Sequence, residues 1–315
     1  MAKARKSKSI RKSKRNQPAQ LESQDCALGL SVVHPKAAGI DIGNEDHGVA
    51  IPPSLDPEPV RRFSCFTWDL IALANWLKSR GIETVAMQST GVYWIPLYDI
   101  LEERGIRVFL VNARDTKNMP GRQSDIQECR WWLKLQVYGL LKNSFRPAEE
   151  IRIMRTFWRQ RQPHIGDASR CVQHMQKALT QMHLQLANVI SDISGMTGQA
   201  IVGAILEGER NPQVLAKLRD PRIKASEEVG ARSLEGNWRE ELLFVFKQES
   251  ESFQTFQKKI AECEQALYQH YQSMEAKADP QQLPEVPRDK RARGRYVPES
   301  FNLRDEMYRV NGGGA

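Results

Sequence analysis

Four side chains, far apart along the chain, are of the kinds that bind divalent cations. Asp41 stands between Ile40 and Ile42 in the short apolar run AAGIDIG. An ionised carboxylate in such a run is costly unless it is paired or meets a cation; at a strand end it can also accept bonds from the Asn44–His47 turn. Gln88 closes a second apolar run, TVAMQ, just before Ser89-Thr90-Gly91 and the aromatic pair Tyr93-Trp94. Alone it reads as a polar residue opening a turn. Asp125 and Glu128 lie three apart in a helical pattern, so both carboxylates project from one face. Ser124 and Gln127 form an S-x-x-Q capping box, and Asp125 in the first turn suits the helix dipole. Those capping roles leave Glu128 unexplained. Three carboxylates and one amide brought together would offer the oxygen ligands that Mg²⁺ takes. A pair of such ions activates an attacking oxygen and stabilises a leaving oxygen in phosphodiester chemistry. Without cations, the clustered carboxylates would repel one another.

The elements that must position these residues can be read from periodicity. Ala37–Gly43 reads as a buried strand, His47–Ile51 as a second and Arg61–Thr67 as a third. Trp68–Arg80 carries helical spacing at Leu70, Leu73, Trp76 and Leu77, with Gly81 where a helix stops. Thr84–Gln88 is the fourth strand, Val92–Arg104 a helix closed by Gly105, and Ile106–Val111 the fifth strand. A polar loop over 112–123 leads to a helix over Ser124–Leu141, with apolar residues at Ile126, Cys129, Leu133, Val137 and Leu140. Three closely linked strands followed by alternating helices and strands imply a mixed sheet covered by helices. The order is that of a ribonuclease-H-like α/β fold. In a sheet wound this way, the end of the fourth strand lies beside the first, within reach of Asp41.

From about Arg146 the strand pattern ceases. Ala168, Val172, Met175, Leu179, Met182, Leu186 and Val189 repeat at steps of four and three, as do Phe253, Phe256, Ile260, Cys263, Leu267, His270 and Met274. Such series predict coiled-coil helices, paired within the chain or across a dimer. The organisation expected is a basic tail and linker over 1–34, the α/β domain over 35–145, a helical region over 146–278, and a Pro/Arg-rich linker over 279–315. The closing RVNGGGA caps nothing and resembles no finished domain edge.

The net charge of the 315 residues is +8. Lys3, Arg5, Lys6, Lys8, Arg11, Lys12, Lys14 and Arg15 sit in a tail without acids, and setting them aside leaves 38 basic and 38 acidic residues. A solvated arm of this kind binds nucleic acid through phosphates or serves as a solubility tail. Arg152, Arg155, Arg159 and Arg161 surround Phe157-Trp158, a pattern that suits phosphate or base contacts, led by Arg155 and Arg159, or an ordinary amphipathic helix. His174, His183 and His270 lack a second ligand at metal spacing and read as helix-surface or seam residues. The five cysteines are scattered, with no CxxC pair, which fits a reducing compartment rather than a disulfide or zinc scaffold. No run of ~18 apolar residues offers a membrane span, and the N-terminus lacks a secretory segment. The expected location is the bacterial cytoplasm, near the nucleoid.

The segments AAGIDIG, VAMQSTGVYWIPLYDILEERGI and VNARDTKNMPGRQSDIQEC resemble, in order, the DEDD transposases of bacterial insertion sequences, the IS-one-ten family. SDISGMTGQAIVGAILEGERNP resembles the helical region that follows in those proteins, so the likeness covers roughly residues 35–275. It implies a RuvC-like domain whose four acidic positions fall on Asp41, Gln88, Asp125 and Glu128, with Mg²⁺ or Mn²⁺ as cofactor. It further implies DNA of the element ends and target as partner, an element-encoded guide RNA, and dimeric or tetrameric assembly. Gln88 replaces a family Glu and Glu128 a family Asp. Gln removes a charge but keeps a carbonyl oxygen, so metal affinity should fall while the geometry survives. Family members continue into a second domain bearing a nucleophilic serine; here no position matches it, and the chain alone is expected to be defective in strand exchange. Two rival readings are a non-catalytic nucleic-acid-binding protein and an actin-like ATP-binding kinase fold. The latter also opens with a strand, Asp and Gly, as in GIDIGNEDHGVA, but needs a second Gly-rich phosphate loop that the sequence does not supply.

Overall fold

In a computed structural model, residues 31–89, 91–112, 125–283, 298 and 300–312 are described. The chain divides after Arg146 into two units. In the first, strands β1 (Ala37–Ile42), β2 (Asp46–Ala50), β3 (Val60–Ser64), β4 (Thr84–Gln88) and β5 (Arg107–Val111) form one sheet in the order β3-β2-β1-β4-β5. Helices α1 (Thr67–Ser79), α2 (Ile95–Glu103) and α3 (Asp125–Val137) complete the unit. β1 and β2 are an antiparallel hairpin closed by Gly43 N–H donating to the Asp46 carbonyl at 3.1 Å. β3 adds antiparallel to β2, whereas β4 and β5 run parallel to β1. The parallel strands need crossovers, and α1 and α2 supply them. β3, an edge strand, carries Arg61 and Arg62, charges that discourage further strand pairing.

The period-two alternation of the strands divides the core between two faces. Ala38, Ile40, Val85, Met87, Val108 and Leu110 pack against Leu70, Leu73, Leu77, Leu97 and Leu101 of α1 and α2. Their alternates, Ala86 and Val111, pack against Trp132 and Leu135 of α3. The mixed α/β architecture is thus that of a ribonuclease-H-like fold, with helices on both sides of the sheet. α3 ends earlier than its periodicity suggests. Gly139 takes a left-handed φ of +67°, and Leu140 lies beyond the helix, exposed.

The second unit is helical. α4 (Glu149–Gln181) is followed by three short helices, α5 (Met196–Leu206), α6 (Pro212–Ala216) and α7 (Glu227–Ser233), and then by α8 (Glu240–Ser273). α4 and α8 lie antiparallel. The Glu150 carbonyl accepts from His270 Nε2 at 3.0 Å, Arg161 pairs with Glu264 at 2.6 Å, and His174 Nδ1 meets Glu249 at 2.9 Å. The two apolar series therefore meet within the chain, with an important correction. α4 stops at Gln181, so Met182, Leu186 and Val189 continue the series without continuing the helix. His183 adopts φ 64°, and the Leu184 N–H folds back to the Leu179 carbonyl at 2.9 Å, the bond pattern of a left-handed helix stop. Met182 and Leu186 remain buried in the same core, because burial requires a direction and not a continuous helix.

The stretch after residue 279 is not a linker throughout. α9 (Leu303–Asn311) is capped by Asn302 and closed by Gly312 in the left-handed region. Arg309, within RVNGGGA, does cap: its guanidinium donates to the Met274 carbonyl at 3.1 Å and to that of Tyr271, satisfying the end of α8. Val310 is buried with Leu267 and Tyr271.

Candidate metal centre

The candidate residues lie where parallel strands end. β1 pairs Ile40 with Met87 of β4, and the same register carried one residue onward sets Asp41 beside Gln88. Gln88 in turn pairs with Val111 of β5. Asp41 alternates with Ile40 and Ile42, whose side chains join the α1/α2 core, and so it leaves the sheet on the α3 face, as Gly39 does. Gln88 shares that face with Ala86 and is 9% exposed. The exit of β4 is tied down by Ser89, whose N–H and hydroxyl both donate to the Val111 carbonyl, at 2.9 and 3.1 Å.

α3 delivers the remaining two residues. Its far end is fixed by the Val33 N–H, which donates to the Val137 carbonyl at 2.9 Å, ahead of β1. The helix thus runs antiparallel to β1, and its first turn lies toward the end of the strand that carries Asp41. Gly39 sets how closely the two approach. A Cβ at Gly39 would lie 2.2 Å from the Cys129 carbonyl oxygen and 2.1 Å from the Leu133 amide nitrogen. Two strand residues advance about 6.6 Å, which is about four residues of helix. Asp41, two residues past Gly39, therefore meets α3 about one turn before the Cys129–Leu133 contact, in the turn that holds Asp125 and Glu128. The Cys129 thiol reports this proximity: it is pushed up to about 11, first by burial, with the Asp41 carboxylate adding to the shift.

Asp125 opens α3, but its side chain lies outside the described residues, as does Ser124 of the expected capping box. Glu128 is half-buried. Among the described residues, no three His, Cys, Asp or Glu side chains gather as a metal site. The described part of the set holds two carboxylates, Asp41 and Glu128, and one amide. The donors are oxygen atoms, which fits a hard divalent cation.

The other expected contacts separate clearly. The tail residues Lys3, Arg5, Lys6, Lys8, Arg11, Lys12, Lys14 and Arg15 lie outside the described residues. Arg155 and Arg159 are exposed on α4. Arg161 is not available to phosphate. Its side chain is 4% exposed, paired with an equally buried Glu264, and its guanidinium lies near the Trp158 ring. Gly39 was not among the residues singled out by chemical type. The signal for it was present, since a glycine inside a buried strand marks close backbone approach.

No helix among the described residues is long and apolar enough to cross a membrane. No curated protein was found to match the chain. Residues 38–184 match the family model of the DEDD transposases of IS110-type elements, described as a transposase. The match takes in Asp41, Gln88, Asp125 and Glu128 and extends through α4. Through residues 38–184, the chain is thus similar to the DEDD transposases of IS110-type elements, and that likeness implies DNA as a partner.

Proposed function

We propose that Asp41, Gln88, Asp125 and Glu128 hold Mg²⁺ or Mn²⁺ and act on phosphodiesters of the element ends and target DNA during transposition. The observation that carries this reading is the shared edge: β1 and β4 end in register, and α3 starts over the same end. A divalent cation bound there would act as a Lewis acid on a phosphate oxygen. Asp41 and Glu128 contribute the negative charge that holds the cation. Gln88 offers a carbonyl oxygen toward it and, unlike a carboxylate, an N–H donor toward a phosphate oxygen. The basic tail, with Arg155 and Arg159, would hold the DNA backbone or a guide RNA without reading sequence. Assembly as a dimer or tetramer beside the nucleoid completes the proposal.

The test is Mn²⁺ binding to the full chain, followed by calorimetry, together with Mg²⁺-dependent cleavage of element-end DNA. Asp41→Ala is expected to abolish both while leaving the circular-dichroism spectrum intact. Unchanged Mn²⁺ affinity in that variant would contradict the site. Gln88 favours a second reading, a nucleic-acid-binding protein without catalysis, because the amide takes one charge from the set. Nucleic-acid binding that persists in EDTA, with no Mg²⁺-dependent cleavage even after Gln88→Glu, would select it.

A further inference from the structure

The edge that presents Asp41 also presents rings to solvent. β3 ends at Ser64 opposite Asp46, and the Cys65 N–H donates to the Glu45 carbonyl at 3.1 Å, so the start of α1 rises from the same edge. There Phe66 is 76% and Trp68 82% exposed. Beyond Gln88, on the exit of β4, Val92 is 66% and Tyr93 47% exposed. The same unit can bury its aromatic side chains, since Trp76, Tyr98 and Trp132 are all at or below 9%. Phe145, beyond α3, is exposed as well, but Phe66, Trp68, Val92 and Tyr93 gather at two exits of one edge. In the order β3-β2-β1-β4 these exits flank the strand of Asp41, three strand spacings apart, or about 14 Å.

The charges nearby narrow the choice of occupant. Glu45 is exposed, Asp46 is paired with Arg62, and Asp69 accepts from the Ser64 hydroxyl. Among the described residues, this rim has no excess positive charge to attract a phosphate by itself. Ring faces accept base planes whatever the surrounding charge, since every base has a π-face. A strand whose phosphate reaches the edge at Asp41 also brings its neighbouring bases there. We infer that Phe66 and Trp68 on one side, and Tyr93 with Val92 on the other, stack unpaired bases flanking the phosphodiester presented to Asp41 and Gln88. This inference rests on the proposed cleavage site and names the form of DNA that enters it: a strand locally unpaired rather than an intact duplex.

The test compares two fluorescently labelled probes on the full chain: a short single-stranded DNA, and the same sugar-phosphate backbone without bases. Anisotropy is measured in EDTA, at salt high enough to suppress binding through the tail. The native chain is expected to prefer the strand with bases. The double variant Trp68→Ala/Tyr93→Ala should bind that strand at least about tenfold more weakly, as expected for the loss of stacked rings, with affinity for the base-free backbone unchanged. Trp68→Phe/Tyr93→Phe should retain the preference. Equal affinity of the native chain for both probes overturns the inference. So does an unchanged preference in the alanine variant, or a variant that only dissociates an oligomer, which would assign the rings to a second copy of the chain. The two readings fail separately: Mn²⁺ bound without base preference sinks the rim alone, and base preference without Mn²⁺ binding sinks the metal centre alone.

Discussion

The two units treat charge in opposite ways. In the helical unit, a buried charge has its opposite at hand. Arg161 and Glu264 are both 4% exposed and meet at 2.6 Å, and the remaining Glu264 oxygen accepts from the Ser300 hydroxyl at 3.2 Å. In the sheet unit, Asp41 and Glu128 bring charge of one sign to one strand end. The contrast within that unit is Asp56, at the other end of β2 and β3. It is buried but encircled by donors: Trp76 Nε1 at 3.0 Å, the Glu58 N–H at 2.8 Å and Arg80 at 2.7 Å. The Trp76 bond, followed by the Glu58 N–H, holds its carboxyl below the ordinary carboxylate range. A carboxylate so enclosed needs no further ligand and has a structural role. In the proposed centre, acidic residues of like sign at one strand end would be relieved by a cation, and that is how a site would differ from a staple.

The largest effect that would break this comparison lies in the staple. Arg161→Met alone is expected to destabilise the helical unit by about 3–5 kcal/mol, because Glu264 is left buried without its counter-charge. Adding Glu264→Leu should restore most of the loss. Denaturant melts of the single and double variants check this, and additive losses would show that the pair is not coupled. Next comes Gly39→Ala. The added carbon meets the backbone of α3, so the sheet unit should lose about 1–3 kcal/mol, and Mn²⁺ affinity should fall with it because α3 is lifted from β1. A variant that melts earlier yet binds Mn²⁺ normally would separate packing from the site. Gln88→Glu should act in the opposite direction. Restoring a charged ligand is expected to tighten Mn²⁺ by about tenfold, since site affinity follows ligand charge, while the metal-free protein melts slightly earlier through like-charge repulsion. The smallest effect is a pH dependence. Burial lowers the His47 pKa, against the opposing Asp46 backbone bond and charge. The unfolded chain then holds the proton that the folded one lacks, so this contribution to stability is present above about pH 6.5 and declines as pH falls below it. A His47→Gln variant should flatten that slope in melts across the window.

Much of the sheet unit was legible because its strands are short apolar runs bounded by glycine and turn residues. Thr84–Gln88 is found at the bounds that the run TVAMQ suggests, and β1 and β5 differ by one residue at one end. The nearness of Asp41 to Gln88 was also legible, since parallel strands of one sheet end at one edge. The approach of α3 was not. It depends on which face of β1 is narrow enough to admit a helix backbone, and the chemistry-bearing residues are silent on that. In the helical unit, the seam was legible but its extent was not. Pro163 sits inside α4 without ending it, and the apolar spacing runs past Gln181 around a turn. The partner of Arg161 was not legible for a related reason: an arginine beside a tryptophan looks the same in sequence whether it faces solvent or a glutamate more than a hundred residues away.

The hydrogen that stands in for a side chain at Gly39 has a mechanical consequence. With nothing between backbone and backbone, β1 and α3 form a rigid contact, and any bulk added there is relayed as a sliding of the whole helix rather than absorbed by a rotamer. The spacing of groups that would grasp an ion is thereby governed from a position no ion would touch. Tolerance to substitution should accordingly be narrower at this buried, chemically mute residue than at Glu128, whose flexible arm can compensate for its own misplacement.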